Sequence, residues 1–323
     1  MIKKIINNIV LVFSIILNRH LLKKPDFSEK KIFLQGKILE EINKKKDSIN
    51  NFTDIEFSVF SQFGEDGIIS WLTDNIPGIK KVFVEIGTQD YWESNTRFLL
   101  KSKNWKGYLI EGSNSYVNRI KKQRTYWQNN IRAIEAFIDI NNINAIISYN
   151  NIEKEIGLLS IDIDGNDYWI LNQINTLTPS IIICEFNSIF GDIYKLSIPY
   201  NKKFDREKAH YSKLYFGASI QAMISMLKKK GYIFIGTGSK GINGFFVKEE
   251  LMMHLKDKIK EIKIYPSQAR EGLDYKGNLT YQNIPDSLKE INDLEVFDFD
   301  DNKKKKINEY NNLYSSDWKR YYK

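Results

Sequence analysis

Acidic and amide side chains recur at or next to the ends of four short apolar runs in this sequence. The runs have strand composition and are separated by stretches with helical spacing, which is the rhythm of a parallel sheet. In such a sheet the carboxyl ends of the strands lie along one edge, where ligands bind. The side chains in question are Glu85, Glu111, Asp162, Asp164, Glu185 and Asn187. Their convergence predicts a ligand site at that edge.

Glu85 and Glu111 lie 26 positions apart, about the length of one strand–helix–strand step. The first predicted strand, residues 82–86, ends at Gly87, where backbone N–H groups and the next helix can face a ligand. An acid at the end of the second strand, residues 107–110, accepts hydrogen bonds from both hydroxyls of a ribose. The pairing predicts a nucleotide-type cofactor, whereas the first unit alone also fits a plain turn between a strand and a helix.

Three aspartates, Asp162, Asp164 and Asp167, surround Gly165 at the end of the predicted strand 158–163. Carboxylates at this density are costly unless they are solvated, hydrogen-bonded or neutralised by a cation. The cluster therefore indicates a site where one of these three conditions holds.

Size and composition favour one large α/β domain with additions, because the 323 residues are 42% hydrophobic and 13% aromatic. The net charge of +8 comes from scattered lysines without an Arg-rich, aromatic-interleaved patch, so no nucleic-acid partner is expected. The positive charge leaves anionic membranes and phosphorylated substrates open as binding partners. A single cysteine, Cys184, excludes disulfides within the chain and fits a cytoplasmic location.

The N-terminal segment, residues 1–24, carries an apolar run from Ile9 to Leu17 between basic residues. This run is shorter than the roughly 20 residues that span a bilayer, and no cleavage site of a signal peptide follows it. Two interpretations stay open: a helix in the membrane interface, giving peripheral contact at the inner membrane face, or a helix packed on its own domain or a partner.

The remaining chain divides into a polar helical lead-in (25–57), the main domain (58–250) and an irregular C-terminal extension (251–323). Ser61 is expected to cap the first helix of the main domain. The polar loop 191–212, which contains His210, is a place for a lid or a substrate contact.

Eight blocks occur in an order that resembles the FkbM-type methyltransferases, a branch of the class I S-adenosylmethionine-dependent enzymes, over roughly residues 58–250. The blocks are SQFGEDGI (61–68), FVEIGTQDYWESNTRFLL (83–100), GYLIEGS (107–113), LLSIDIDGNDYWIL (158–171), IIICEFN (181–187), FGAS (216–219), KKGY (229–232) and GINGFFV (241–247). The resemblance implies a Rossmann-like, doubly wound, seven-stranded sheet, mostly parallel, with an antiparallel last strand.

By matching positions, the resemblance also implies the residues that contact S-adenosylmethionine. Glu85 and Gly87 would line the methionine end, Glu111 would bind the ribose hydroxyls and Ser113 would lie beside the adenosine. Asp162 would lie near the methyl group. The further cofactor contacts on the matching motifs are Gln62, Thr88 and Asn95. The chain departs from a common form of the family at Tyr91, where a second glycine is usual, which implies a bulkier loop or an aromatic ring near the cofactor.

Methyl transfer to a hydroxyl requires alignment of donor and acceptor and removal of a proton. The expected catalytic residues are Asp162, Asp164 and His210. Alternatively, a divalent cation such as Mg²⁺, held by Asp162, Asp164 and Glu185, would lower the pKa of the acceptor hydroxyl.

The expected function is O-methylation of a small-molecule or glycan acceptor, with a saccharide or nucleotide sugar in surface polysaccharide biosynthesis as the expected acceptor. One alternative is an NAD(P)-dependent sugar oxidoreductase or epimerase, although GTQDYWE lacks the third glycine of the dinucleotide motif. The other is a non-catalytic binding module at the membrane. The sequence leaves the oligomeric state open.

Overall fold

The computed structural model describes residues 27–123 and 126–322. The interpretations of residues 1–24 therefore lie outside the described residues.

Seven strands form the main sheet in the order β3-β2-β1-β4-β5-β8-β7. Strands β1 to β5 are parallel, and β8 is antiparallel to both of its neighbours. This order confirms the predicted Rossmann-like sheet with an antiparallel last strand. The strands are β1 Val82–Ile86, β2 Lys106–Glu111, β3 Ile131–Glu135, β4 Glu155–Ile161, β5 Thr178–Glu185, β6 Leu196–Ser197, β7 Tyr232–Thr237, β8 Asn243–Lys248, β9 Glu295–Asp298 and β10 Lys303–Lys306.

Helices follow most strands and cover both faces of the sheet. They are α1 Phe27–Lys44, α2 Glu65–Asn75, α3 Arg97–Lys103, α4 Asn114–Lys122, α5 Ile143–Tyr149, α6 Asp167–Gln173, α7 Arg206–Ala209, α8 Ile220–Lys229, α9 Ile284–Ile291 and α10 Ser316–Lys319. Short 3₁₀ turns lie at Phe52–Asp54, Tyr126–Gln128, Ser188–Phe190, Glu249–His254, Ile307–Glu309 and Arg320–Tyr322. Among the described helices, none combines the length and apolar character needed to cross a bilayer.

The central strands are buried on both faces, as expected where helices cover a parallel sheet on both sides. In β1, Val84 and Ile86 belong to one core cluster, while the preceding residue Phe83 belongs to the cluster on the opposite face. Period-two alternation of apolar side chains into two cores explains why the run has no polar face in the sequence.

The first helix of the main domain starts later than Ser61 suggests. Gly64 occupies the N-cap position of α2 and makes no side-chain cap. The Ser61 hydroxyl still accepts a hydrogen bond from the Asp66 backbone N–H at 3.1 Å. The Asp66 carboxylate in turn accepts the backbone N–H groups of Val59, Phe60 and Ser61. This reciprocal bonding moves the helix start by winding the preceding loop around Asp66.

The C-terminal extension is more regular than the sequence suggests. Strands β9 and β10 form a second, three-stranded sheet with β6. Trp318 is buried, and its indole Nε1–H donates to the Ile264 carbonyl at 2.8 Å. The four consecutive lysines of β10 hide the strand signal, because an exposed edge strand needs no apolar alternation.

Candidate functional site

The turn after β1 requires glycine. Gly87 has φ +82°, and a Cβ at this position would lie 1.6 Å from the Asp162 carbonyl oxygen. The Gly87 N–H donates to the Ile110 carbonyl, and the Asp162 N–H donates to the Ile86 carbonyl. The ends of β2, β1 and β4 are therefore joined at this turn, which brings the acidic residues of all three strands to one edge.

Glu85 is buried beneath the loop that follows Gly87. Its carboxylate accepts hydrogen bonds from the Ser94 hydroxyl at 2.6 Å, the Asn95 backbone N–H at 3.1 Å and the Thr96 hydroxyl. Burial raises the pKa of Glu85, and the Ser94 and Thr96 bonds oppose that shift. Glu85 therefore fixes the loop 87–96 in place. The sequence analysis missed its two hydroxyl donors, although both lie within the block that contains it.

Tyr91 takes the position where the resemblance leads one to expect glycine, and its backbone has the left-handed φ of 63°. Its ring is buried in the core cluster that also contains Trp71 and Leu99. The phenol oxygen lies 2.9 Å from the Thr96 hydroxyl oxygen. The extra bulk is therefore accommodated inside the domain, at the cost of a strained backbone.

Glu111 ends β2 with its carboxylate held by two backbone amides. Gln89 N–H donates to one oxygen and Ser113 N–H to the other, both at 2.8 Å. A carboxylate oxygen can accept more than one hydrogen bond, so both oxygens retain lone pairs for a pair of hydroxyls. Ser113 is the N-cap residue of α4 and makes no side-chain cap there.

Thr88 supplies an unused polar atom next to this carboxylate. It is 2% exposed, and its hydroxyl oxygen has no hydrogen-bond partner. An orphaned buried hydroxyl costs on the order of 1–3 kcal/mol, which a bound ligand with a polar group would recover. Thr88, Gly87 and Glu111 thus form a small polar site at the ends of β1 and β2.

The other two predicted cofactor residues differ in their surroundings. The Asn95 amide donates to the Ser160 hydroxyl at 3.1 Å and so links the loop to β4. Gln62 is exposed on the loop before α2. That loop adjoins the site because the Ser94 N–H donates to the Phe60 carbonyl at 2.9 Å.

A cluster of three carboxylates lies at the neighbouring strand ends. One oxygen from each of Asp162, Asp164 and Glu185 lies within 4.8 Å of the others. Burial, then repulsion from Asp164, raises the pKa of Asp162 well above its ordinary value. Burial and Asp162 do the same to the pKa of Glu185. Glu185 also has one carboxylate oxygen that is buried without a hydrogen-bond partner.

Arg206 from α7 is a cation that bonds to this cluster. Its guanidinium donates to Asp164 and, at 2.6 Å, to Glu271 of the C-terminal extension. The same group stacks 3.7 Å above the Phe216 ring centroid. Sequence reasoning missed Arg206, whose only signal was its position in the long polar loop.

Asp167, the third aspartate around Gly165, has a different role. Its carboxylate accepts the Ile163 N–H at 2.8 Å and the Gly165 N–H at 2.9 Å. Burial raises its pKa to about 6. Asp167 therefore shapes the turn that presents Asp162 and Asp164.

His210 contacts residues of its own loop. Its Nδ1 lies 2.7 Å from the Ser212 hydroxyl, and its ring packs 4.2 Å from the Tyr211 ring. Burial lowers its pKa. The described contacts of His210 thus do not bring its ring together with the aspartates.

Two asparagines near the end of β5 also shape the site. Asn187 donates to the Leu214 and Phe216 carbonyls and so positions the segment beneath Arg206. Asn243 of β8 pairs with Glu185 of β5 and has a buried side-chain oxygen without a partner. Asn243 belongs to the GINGFFV block and was assigned no role from the sequence.

The sheet order and the strand–helix–strand connections define the chain as a Rossmann-like, doubly wound α/β protein. No family model and no curated protein matches it. Solved structures to which it is similar include the N-terminal domain of EvdMO1 with SAH bound, at 12% identity over 68% of this chain and 94% of that chain, with a TM-score of 0.39. Another is a putative caffeoyl-CoA O-methyltransferase from Staphylococcus aureus, at 15% identity over 74% of this chain and 99% of that chain, with a TM-score of 0.38. Identities and scores of this size are too low to transfer a function.

Proposed function

We propose that this protein is an S-adenosylmethionine-dependent O-methyltransferase of the FkbM type. The observation that supports the proposal most strongly is Glu111, whose carboxylate is fixed by two backbone amides and keeps lone pairs for two hydroxyls. The unpartnered Thr88 hydroxyl and the glycine turn at Gly87 lie beside it. Together these groups suit the ribose and the chain of a nucleoside cofactor.

Each of these residues at the carboxyl edge of the sheet then has a defined role in binding the cofactor. Glu111 binds the ribose, Ser113 lies beside the base, and Gly87 with Thr88 follows the methionine end. Glu85 keeps this loop in shape from below. When bound, S-adenosylmethionine supplies a methyl group activated by a positively charged sulfur.

Asp162 accepts the proton of the acceptor hydroxyl. Its raised pKa makes it a stronger base than an exposed aspartate, which suits proton removal from an alcohol. Asp164 is the less suitable base because Arg206 already bonds to its carboxylate. Arg206 and Asp164 together hold the turn that carries Asp162.

A divalent cation at Asp162, Asp164 and Glu185 is a second proposal for the same cluster. Three oxygens within 4.8 Å and an unpartnered Glu185 oxygen fit the donor set of a hard cation such as Mg²⁺. Such an ion would lower the pKa of the acceptor hydroxyl. Its binding would compete with the Arg206–Asp164 contact.

The cation proposal predicts that Glu185→Gln weakens Mg²⁺ binding at least about tenfold, because it removes a charged ligand. Isothermal titration with MgCl₂ measures this directly. Glu271→Gln is the matched control, since Glu271 also contacts Arg206 but is not one of the three clustered carboxylates. Equal Mg²⁺ affinity in both variants, or none in the wild type, would leave Arg206 as the counterion of the cluster.

We propose a saccharide or nucleotide sugar of surface polysaccharide biosynthesis as the acceptor class. The test is transfer of radiolabelled methyl from S-adenosylmethionine to a panel of nucleotide sugars and oligosaccharides, followed by identification of the methylated oxygen. Labelled sugar product supports the proposal. Cofactor binding without transfer to any sugar would leave the methyltransferase class standing and overturn the acceptor class.

A further inference from the structure

Helix α1 packs against the domain through a face that combines Phe33, which contacts the Phe60 and Phe98 rings, with polar residues. Glu40 is 1% exposed and accepts a hydrogen bond from the Ser70 hydroxyl at 2.7 Å. The Asn43 amide donates to the Ile55 carbonyl at 2.8 Å. Gly36 lies so close to the Val59 side chain that a Cβ there would meet it at 2.4 Å. These residues follow helical spacing, so they define one inward stripe.

The opposite side of α1, which we call the outward face, carries exposed aliphatic side chains together with the exposed Lys31 and Gln35. Leu34, Ile38 and Ile42 follow one another at intervals of four residues and are 62%, 61% and 50% exposed. Ile32 and Leu39 extend the same face and are 45% and 42% exposed. A surface helix usually turns such side chains toward the core, and exposed apolar surface of this kind marks an interaction site.

The charges around the outward face are mainly positive. Residues 27–46 contain six lysines and three glutamates. Two of the glutamates, Glu29 and Glu40, are tied to cations of the domain at Arg97, Lys101 and Lys103. Glu41 is the remaining carboxylate, and it pairs with Lys44. A partner for this face therefore has to be apolar inside and negatively charged at its surface.

An indole lies beside the first turns of α1. Trp92 is 49% exposed, and the Arg97 guanidinium sits 4.6 Å from its ring centroid. The same guanidinium is 3.4 Å from the Glu29 carboxylate. Tryptophan is favoured where apolar and polar media meet, so the half-exposed Trp92 suits such a boundary near the N-terminal end of α1.

We propose that the outward face of α1 docks on a lipid bilayer that contains anionic lipids. An 18-residue helix is about 27 Å long and would lie flat, with Ile and Leu in the acyl boundary and lysines among the headgroups. A second copy is a poorer fit, because a two-fold contact would bring two positive faces together. The sequence N-terminal to α1 carries the apolar run Ile9–Leu17 with basic residues on both sides, separated from Phe27 by residues 18–26, and it has a similar composition. The proposal does not depend on the proposed methyltransferase activity.

Flotation of the full-length protein with vesicles tests the docking. We expect binding to phosphatidylcholine vesicles with about 30% phosphatidylglycerol, and at least about tenfold weaker binding of the triple variant L34E/I38E/I42E. The matched control is M253E/I262E/L279E, which adds three charges at apolar residues that are 67%, 47% and 48% exposed outside α1. Equal binding of wild type and the α1 variant would overturn the proposal.

A label on the outward face separates the lipid from protein occupants. The native Cys184 is buried, so Ile38→Cys can be labelled selectively with an environment-sensitive fluorophore. We expect a blue shift on addition of anionic vesicles and none with Leu279→Cys. A probe at position 38 that is already blue-shifted without vesicles would show the face covered by residues 1–26 or by a second copy, which would overturn lipid docking.

Discussion

Asp162→Asn is expected to lower kcat for methyl transfer at least about 100-fold, the usual scale for loss of a general base. The amide has nearly the same shape as the carboxylate but cannot accept a proton. Asp162 has the required environment because its carboxylate is desolvated and lies near Asp164, and both effects raise its pKa. Steady-state kinetics with the acceptor found in the sugar panel measure the loss.

Asp164→Asn is the matched control for this loss. Asp164 lies two positions away in the same turn, but its carboxylate is bonded to Arg206 and is 48% exposed. We expect its kcat to fall less than about tenfold. A larger loss in Asp164→Asn than in Asp162→Asn would reverse the assignment of the base.

Gly87→Ala is expected to destabilise the domain by at least about 3 kcal/mol, because two costs add. The backbone has φ +82°, which an L side chain adopts with strain, and the new Cβ would overlap the Asp162 carbonyl oxygen at 1.6 Å. Relief requires β1 and β4 to separate where the site is built. Urea unfolding followed by tryptophan fluorescence measures the change in unfolding free energy.

Gly231→Ala isolates the backbone part of this cost. Gly231 also has φ +82°, but no atom lies within 4 Å of the position its Cβ would take. The expected loss there is about 1 kcal/mol. Equal losses of unfolding free energy in the two variants would mean that the Asp162 carbonyl oxygen lies farther from Gly87 than in this structure.

The strand framework of the site could be predicted because each strand carries its own local signal. The run 82–86 is apolar, β-rich and closed by Gly87, and β1 has the same bounds. Glu111 is predicted to lie at the end of the second strand, one strand–helix–strand step after Glu85, and it is the last residue of β2. Local composition and the length of one strand–helix–strand step were sufficient for both.

Contacts between distant segments could not be predicted in the same way. Arg206 meets Asp164 across 42 positions and Glu271 across 65, and no local pattern specifies such pairs. The orientation of α1 was hidden for a similar reason. A helix is expected within the lead-in 25–57, and α1 spans Phe27–Lys44. Glu40 faces inward because Ser70 and Lys103 of the domain bond to its carboxylate.

Isothermal titration of the purified protein with S-adenosylmethionine, and separately with NAD, tests the central claim most directly. We expect micromolar binding of S-adenosylmethionine, weakened at least about tenfold by Glu111→Ala through loss of the ribose acceptor, and no binding of NAD. Binding of NAD in place of S-adenosylmethionine would identify an oxidoreductase or epimerase instead. Binding of neither would contradict a cofactor site at Glu111 and favour a non-catalytic module.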